Sequence, residues 1–529
     1  MKRVAVVAVM LAAAPMHAGS VIVARRAALA TASPLATRVG LTVLQRGGNA
    51  ADAAVAAAFA LAVAEPQSGN IGGGGFLVYY DAQSRAVWTL DFREVAPAAV
   101  TRDTFAGGKG PRQGAIAAGV PGTVAGLAAL HERFGTRPWK ELLEPAIGLA
   151  RDGVRISPDL QADAAGAKSE RNIDPIPSAP LLVQKELAET LDRMATKGAN
   201  DFYRGETAAL IVDGVRKAGG ILSHTDLREY KPLWRAPIRI TFRQFDLYTA
   251  PPPSAAGLMI GEELNILGAF DLAAAGFQSA AEIHLLAEAA RRAAIDRDRY
   301  LGDPASARTP LSDLLSLQRA AQWRASIDPK RATPTISLTE PATAVAESAH
   351  TTHISIVDAS GNAVALTTSL GDDFGSGFLV PRCGFFLNDS MHDFTPAPDS
   401  ANAVAPGRRM ASSAAPTIVL RRGRPFLVLG TSGGAAIPNL VLQVFLAVTT
   451  FGKSLPEAIT APRYDQQAVP EDMRFEFTHA AGAPIDRLRA MGHGMQSGEP
   501  MGNMQAIMIE RARITAVADP RRGGAAGGF

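Results

Sequence analysis

Four short clusters in the 529-residue chain carry groups suited to acyl chemistry: Glu347-Ser-Ala-His-Thr-Thr-His353, Asp91-Phe-Arg-Glu94, Ser412-Ser413 and Gly433-Gly434. A threonine hydroxyl is a weak nucleophile unless a base lies within hydrogen-bond reach, and a free α-amine, with a pKa of about 7.7–8.0, is such a base near neutral pH. Thr351 would carry both groups if the chain were cut just before it; in an intact chain its nitrogen is an amide with no basic lone pair. Thr352, Ile354 and Ile356 also alternate with Thr351, His353 and Ser355, as in a half-buried strand. Both readings can hold together. The planar fork of Arg93 suits a carboxylate, or pairs with Asp91 or Glu94 at a strand end. Ser412 and Ser413 offer hydroxyl donors or a simple turn. Gly433 and Gly434 allow close approach of the backbone, or form a plain strand-to-helix turn. Asp393 is a carboxylate for a charged N–H donor, or a turn residue in Met391-His-Asp-Phe394.

The elements that must hold these groups are mixed α and β. The spacing predicts a helix over 36–46 ending at Gly47-Gly48, then an Ala-rich buried helix over 50–64. The glycine run Gly72 to Gly75 leads into a hairpin formed by 76–80 and 86–92. From about 121 to 332 the pattern is mainly helical, clearest at 123–133 and 283–300, with a strand-like run at 238–248. Residues 333–350, rich in Pro, Thr and Ser, read as an exposed linker. Beyond Thr351 the chain is β-rich, at 352–357, 363–368, 417–420 and 426–430.

With 47% hydrophobic residues and mean hydropathy +0.07, the chain has ample material for a large core. The charge of +3, from 53 basic and 50 acidic residues, comes with no long basic run, which argues against a nucleic-acid partner. Residues 1–18, with Lys2, Arg3 and an apolar run ending at Met16-His17-Ala18, read as an export signal too short for stable membrane insertion. A periplasmic or secreted location follows. Cys383 is the only cysteine, so no intrachain disulfide can form. No CxxC, HExxH or GxxxxGK[ST] pattern occurs, and Gly72 to Gly75 does not fit GxGxxG; neither metal nor organic cofactor is expected.

From Arg38 to Arg521 the chain resembles the γ-glutamyltransferase family. The resemblance rests on Thr351-Thr-His353 together with Gly47-Gly-Asn-Ala50, Pro66-Gln-Ser-Gly-Asn-Ile-Gly-Gly-Gly-Gly-Phe76, Asp91-Phe-Arg-Glu94, Pro121-Gly-Thr-Val-Ala-Gly126, Tyr300-Leu-Gly-Asp-Pro304, Ser412-Ser413 and Gly433-Gly434. It implies an α+β fold, the four-layer αββα sandwich of N-terminal-nucleophile hydrolases, and a precursor that cuts itself between His350 and Thr351. Residues 19–350 would form the large subunit and 351–529 the small catalytic one. The roles it implies are Thr351 as nucleophile and base, and Ser369 as a hydroxyl partner that helps maturation. Gly433 and Gly434 would form the oxyanion hole. Arg93, Ser412 and Ser413 would take the substrate α-carboxylate, and Asp393 the α-ammonium, with Ser390 nearby.

Four departures from the family pattern are visible, and the first two bear on substrate recognition. Gly371 stands where relatives carry Asn, and Ser390 where they carry Gln or Glu; each polar group left unpaired costs roughly 1–3 kcal/mol, unless water, Asp372 or Asp373 compensates. Ser432 replaces a common Pro beside the glycine pair. The stretch 394–411 is short and has no Tyr, which implies an open site without a lid. The expected activity is γ-glutamyl transfer from glutathione or related compounds to water, an amino acid or a peptide. The alternatives are an acylase for glutaryl or cephalosporin-type side chains, and an uncleaved binding relative.

Overall fold

The computed structural model describes residues 20–105, 110–339, 350–476 and 482–529, so the expected export signal and residues 340–349 of the linker lie outside the described residues. Two seven-stranded sheets form the centre. One runs Val21–Ala24, Arg513–Ala518, Gln505–Glu510, Arg424–Gly430, Thr417–Arg421, Phe245–Thr249, Ile238–Phe242. The other runs Ala525–Gly528, Ala28–Thr31, His350–Val357, Ala363–Gly371, Gly74–Asp81, Ala86–Asp91, Leu233–Arg235. Both sheets mix strands from either side of the 350–351 bond, so cutting that bond would not divide the molecule.

The period of two in a strand sorts side chains onto opposite faces. Val78, Tyr80, Ala363 and Ala365 from one sheet meet Ile418, Leu420, Val428 and Ile507 from the other in a core between the sheets. Their neighbours Leu77, Tyr79, Val364 and Leu366 face the helices Ala50–Ala64, Thr123–Phe134 and Trp139–Asp152. On the far side Val419, Leu427 and Leu429 pack against Ala256–Leu267, Ala280–Tyr300 and Ile437–Thr449. The result is an αββα sandwich.

The helix Ala50–Ala64 is buried along its whole length, as an all-round apolar helix must be. Asn49 and Asp52 cap it reciprocally, and the Asp358 carboxylate accepts from the Ala50 N–H at 2.9 Å. Two expectations change. The run 238–248 is a hairpin, turning at Arg243 with φ 55° where no glycine marks the turn. The linker is exposed at Pro334, Ile336 and Ser337 as expected, but it is tied down at its start: Thr333 donates to Glu288 at 2.5 Å, and buried Thr335 donates its N–H to Glu471 at 2.6 Å.

Candidate active site

Strand parity places Thr351 on the face that looks between the sheets, beside Ser369 of the neighbouring strand. The register slips between His350 and Thr351, so His350 pairs with Gly371 while Thr351 pairs with Ser369. At this bulge the Thr351 hydroxyl donates to Ser369 Oγ at 3.2 Å, and the Ser369 hydroxyl donates to the His350 carbonyl oxygen at 2.8 Å. Ser369 Oγ also accepts the Gly371 N–H at 3.0 Å. The chain is continuous here: the nucleophile candidate sits next to an intact peptide bond whose carbonyl is already hydrogen-bonded.

Thr351 is the residue shared by two cavities. The smaller, of about 20 Å³, is lined by Gly74, Arg93, Gly371, Asp393, Ser412 and Gly434. The larger, of about 320 Å³, is lined by Glu65, Asp163, Asp373, Gly433, Arg474 and Arg522. Burial pushes the Glu65 carboxyl up to about 8 in spite of Arg522.

Arg93 leaves the end of the strand Ala86–Asp91, its N–H held by Asp91 at 3.0 Å and its carbonyl by the Tyr230 hydroxyl at 3.0 Å. The guanidinium, 4% exposed, donates to Glu94 at 2.9 Å and is in close contact with Asp393. Two carboxylates thus surround one cation. Ser390, expected near the substrate, is bound to this pair: its hydroxyl donates to Glu94 at 2.9 Å, and Arg93 reaches it at 3.4 Å. Ser412 lines the small cavity, while the Ser413 hydroxyl is buried without a hydrogen-bond partner. Asp372 and Asp373 do not line it. Asp372 pairs with Arg112 at 2.6 Å and Asp373 with His350 at 2.8 Å, so neither compensates for Gly371. Gly371 itself has φ 99°, a conformation in which an Asn side chain would be strained.

Gly433 and Gly434 adopt φ 134° and φ 58° and lead through a short turn into the helix Ile437–Thr449. Several supporting residues escape a reading of the sequence. Glu94 was visible only as part of a motif. His353, between the two sheets, contacts Thr367 Oγ1 at 2.8 Å and Ser355 Oγ at 3.1 Å, and burial pushes its pKa down to about 3. It is a neutral tie. The run Gly72 to Gly75 exists for close approach, since a Cβ on Gly73 would lie 2.0 Å from the Ser369 carbonyl oxygen and one on Gly75 2.1 Å from that of Thr367.

A hydroxyl residue at the start of an inner strand of an αββα sandwich, one bond away from becoming an amino terminus, defines the N-terminal-nucleophile hydrolase class. Residues 36–529 match the Gamma-glutamyltranspeptidase family, and the chain belongs to it. It is 39% identical to a glutathione hydrolase proenzyme of Pseudomonas aeruginosa, over 93% of each chain. It is 37% identical to the one of Escherichia coli, over 94% of this chain and 91% of that one. Among solved structures, a cephalosporin acylase from Bacillus halodurans superposes with a TM-score of 0.88 at 28% identity, covering 96% of this chain and 97% of that one.

Proposed function

We propose that this γ-glutamyltransferase, made as a proenzyme, works on glutathione and related γ-glutamyl amides through Thr351. Once the 350–351 bond is cut, the Thr351 amine takes the hydroxyl proton as Oγ attacks the γ-carbonyl carbon. The amide C–N bond breaks, the leaving amine takes the proton, and a γ-glutamyl ester remains on Thr351. Water, an amino acid or a peptide then attacks the ester. Gly433 and Gly434 offer N–H groups to the oxyanion, with the following helix adding a favourable dipole.

The arrangement of Arg93 and Asp393 carries the donor assignment. A zwitterionic α-carbon splits the ion pair into two new ones, carboxylate to Arg93 and ammonium to Asp393. A glutaryl group offers Arg93 a carboxylate but brings no ammonium to Asp393, and so forgoes a charge-assisted hydrogen bond worth about 1.5–3 kcal/mol, roughly ten- to a hundredfold. The acylase alternative is therefore the weaker one, despite the superposition on an acylase. Ser412 and Ser413 add hydroxyls for the same carboxylate. Export through residues 1–18 to the periplasm or medium remains part of the proposal; among the described residues no helix is long and apolar enough to cross a membrane.

The test is intact mass together with γ-glutamyl-p-nitroanilide turnover on one sample. Two fragments, the smaller starting at Thr351, and release of nitroaniline are expected. Two fragments without turnover would overturn the donor assignment, and an uncut inactive chain would overturn the catalytic one.

A further inference from the structure

The residue on the amino side of the scissile bond meets one strand end at two points, a hydrogen bond to its carbonyl and a close carboxylate beside its imidazole. The Ser369 hydroxyl holds the His350 carbonyl at 2.8 Å, and the Asp373 carboxylate, four residues further on, lies 2.8 Å from His350 Nδ1. Between these two points the backbone turns at Gly371. The backbone at Asp373 is fixed from outside: Arg171 donates to its carbonyl at 3.0 Å and to that of Gly375 at 2.5 Å. Arg112 and Arg171 engage the adjacent Asp372, at 2.6 and 3.8 Å. The Asp373 carboxylate faces the side chain of the residue about to be cut and lies outside the small cavity that holds Arg93 and Asp393, on the wall of the larger one.

We propose that Asp373 is a positioning residue for self-cleavage, pairing with the His350 imidazole so that the carbonyl of the 350–351 bond stays against the Ser369 hydroxyl and beside the Thr351 hydroxyl. This rests on Thr351 being the nucleophile. In the step served, Thr351 Oγ adds to the His350 carbonyl carbon, the C–N bond breaks as the Thr351 nitrogen gains the hydroxyl proton, and an ester links His350 to Oγ. Water then cleaves the ester, leaving a His350 carboxylate and a free Thr351 with hydroxyl and amine. Holding the reacting groups in one geometry lowers the entropic part of such a barrier, and loss of a grip on the carbonyl should slow the step about tenfold or more.

The pair titrates through His350. Burial lowers the imidazole pKa, but Asp373 beside it, with Asp163 and Asp372 further off, carries it above the ordinary value. The other charged groups around it are Glu65, Arg522, which pairs with Asp163, and Arg112 and Arg171, which pair with Asp372. The imidazolium–carboxylate attraction is complete below the ordinary histidine pKa and fades as pH rises through the raised one.

The experiment follows conversion of freshly synthesised full-length chain to the fragment beginning at Thr351, by mass, in buffers from about pH 6 to about pH 9. Asp373→Asn should cleave about tenfold more slowly at the acid end and lose the part of the pH dependence that the wild type shows. His350→Lys, which keeps a cation through this range, should cleave at alkaline pH at least as fast as the wild type. Wild-type rate and profile in Asp373→Asn overturn the proposal. Should that variant fail to fold, His350→Gln serves in its place: an unchanged rate and profile there have the same force. Thr351→Ala separates the two levels, since a fragment starting at residue 351 in that variant overturns the nucleophile reading itself.

Discussion

Arg93 already lies between Glu94 and Asp393, so a substrate carboxylate competes with Asp393 for its guanidinium inside a cavity of only about 20 Å³. The same competition makes the role of Asp393 testable separately from that of Arg93. Asp393→Asn removes the carboxylate that receives the ammonium, a group that a glutaryl donor lacks. We expect kcat/KM for γ-glutamyl-p-nitroanilide to fall by about a hundredfold, while that for glutaryl-p-nitroanilide holds or rises. Equal losses on both anilides would mean that Asp393 only maintains the shape of the pocket. Thr351, Arg93, Asp393 and the two glycines could be singled out in the sequence only through the family resemblance, whose motifs are short and mostly contiguous. The hydrogen bond of Ser390 to Glu94 was not legible, because it joins residues 296 positions apart.

At the scale of elements, the site depends on how closely strands approach where glycine replaces a side chain. Gly430 lies at the end of the strand Arg424–Gly430, and a Cβ there would fall 2.4 Å from both Cε1 and Nδ1 of His353. His353 cannot retreat easily, because Thr367 and Ser355 hold its two ring nitrogens and Ser355 donates in turn to the Gln505 carbonyl at 2.9 Å. Gly430→Ala should therefore destabilise by about 1–3 kcal/mol through overpacking. Calorimetry would show a lower thermal midpoint, and an unchanged midpoint would mean that the two sheets adjust freely at this point. The sequence announced these glycines as punctuation; what they approach is non-local and so was hidden. For the same reason the turn at Arg243, which has no glycine, was missed, and so were the anchors that Glu288 and Glu471 provide for the start of the linker.

For the whole molecule, alternation along the strands made mixed α and β legible, but the stacking into four layers came only from the family resemblance, since no local pattern states which sheet faces which. Nor did composition reveal how many carboxyl groups the outer helices bury. Glu262, on the helix Ala256–Leu267, sits against Asp296 of Ala280–Tyr300 and accepts from the Trp323 indole at 2.9 Å. Burial first, then hydrogen bonding to Asp296 and its charge, push the Glu262 carboxyl from 4.5 up to about 10. The folded chain therefore keeps a proton here that the unfolded chain releases above its ordinary pKa. The unfolded state gains at about 1.36 kcal/mol per pH unit across that window, so stability falls as pH rises from near 4.5 towards 10. Glu262→Gln keeps the shape and can still donate to Asp296, but has no proton to lose. Its thermal midpoint should match the wild type near pH 5 and exceed it by a margin that widens towards pH 9, as read from melting curves of the same mature protein across that range. A difference that stays constant with pH would mean that Glu262 is ionised in the folded state, balanced by Arg319, which lies 4.0 Å from it.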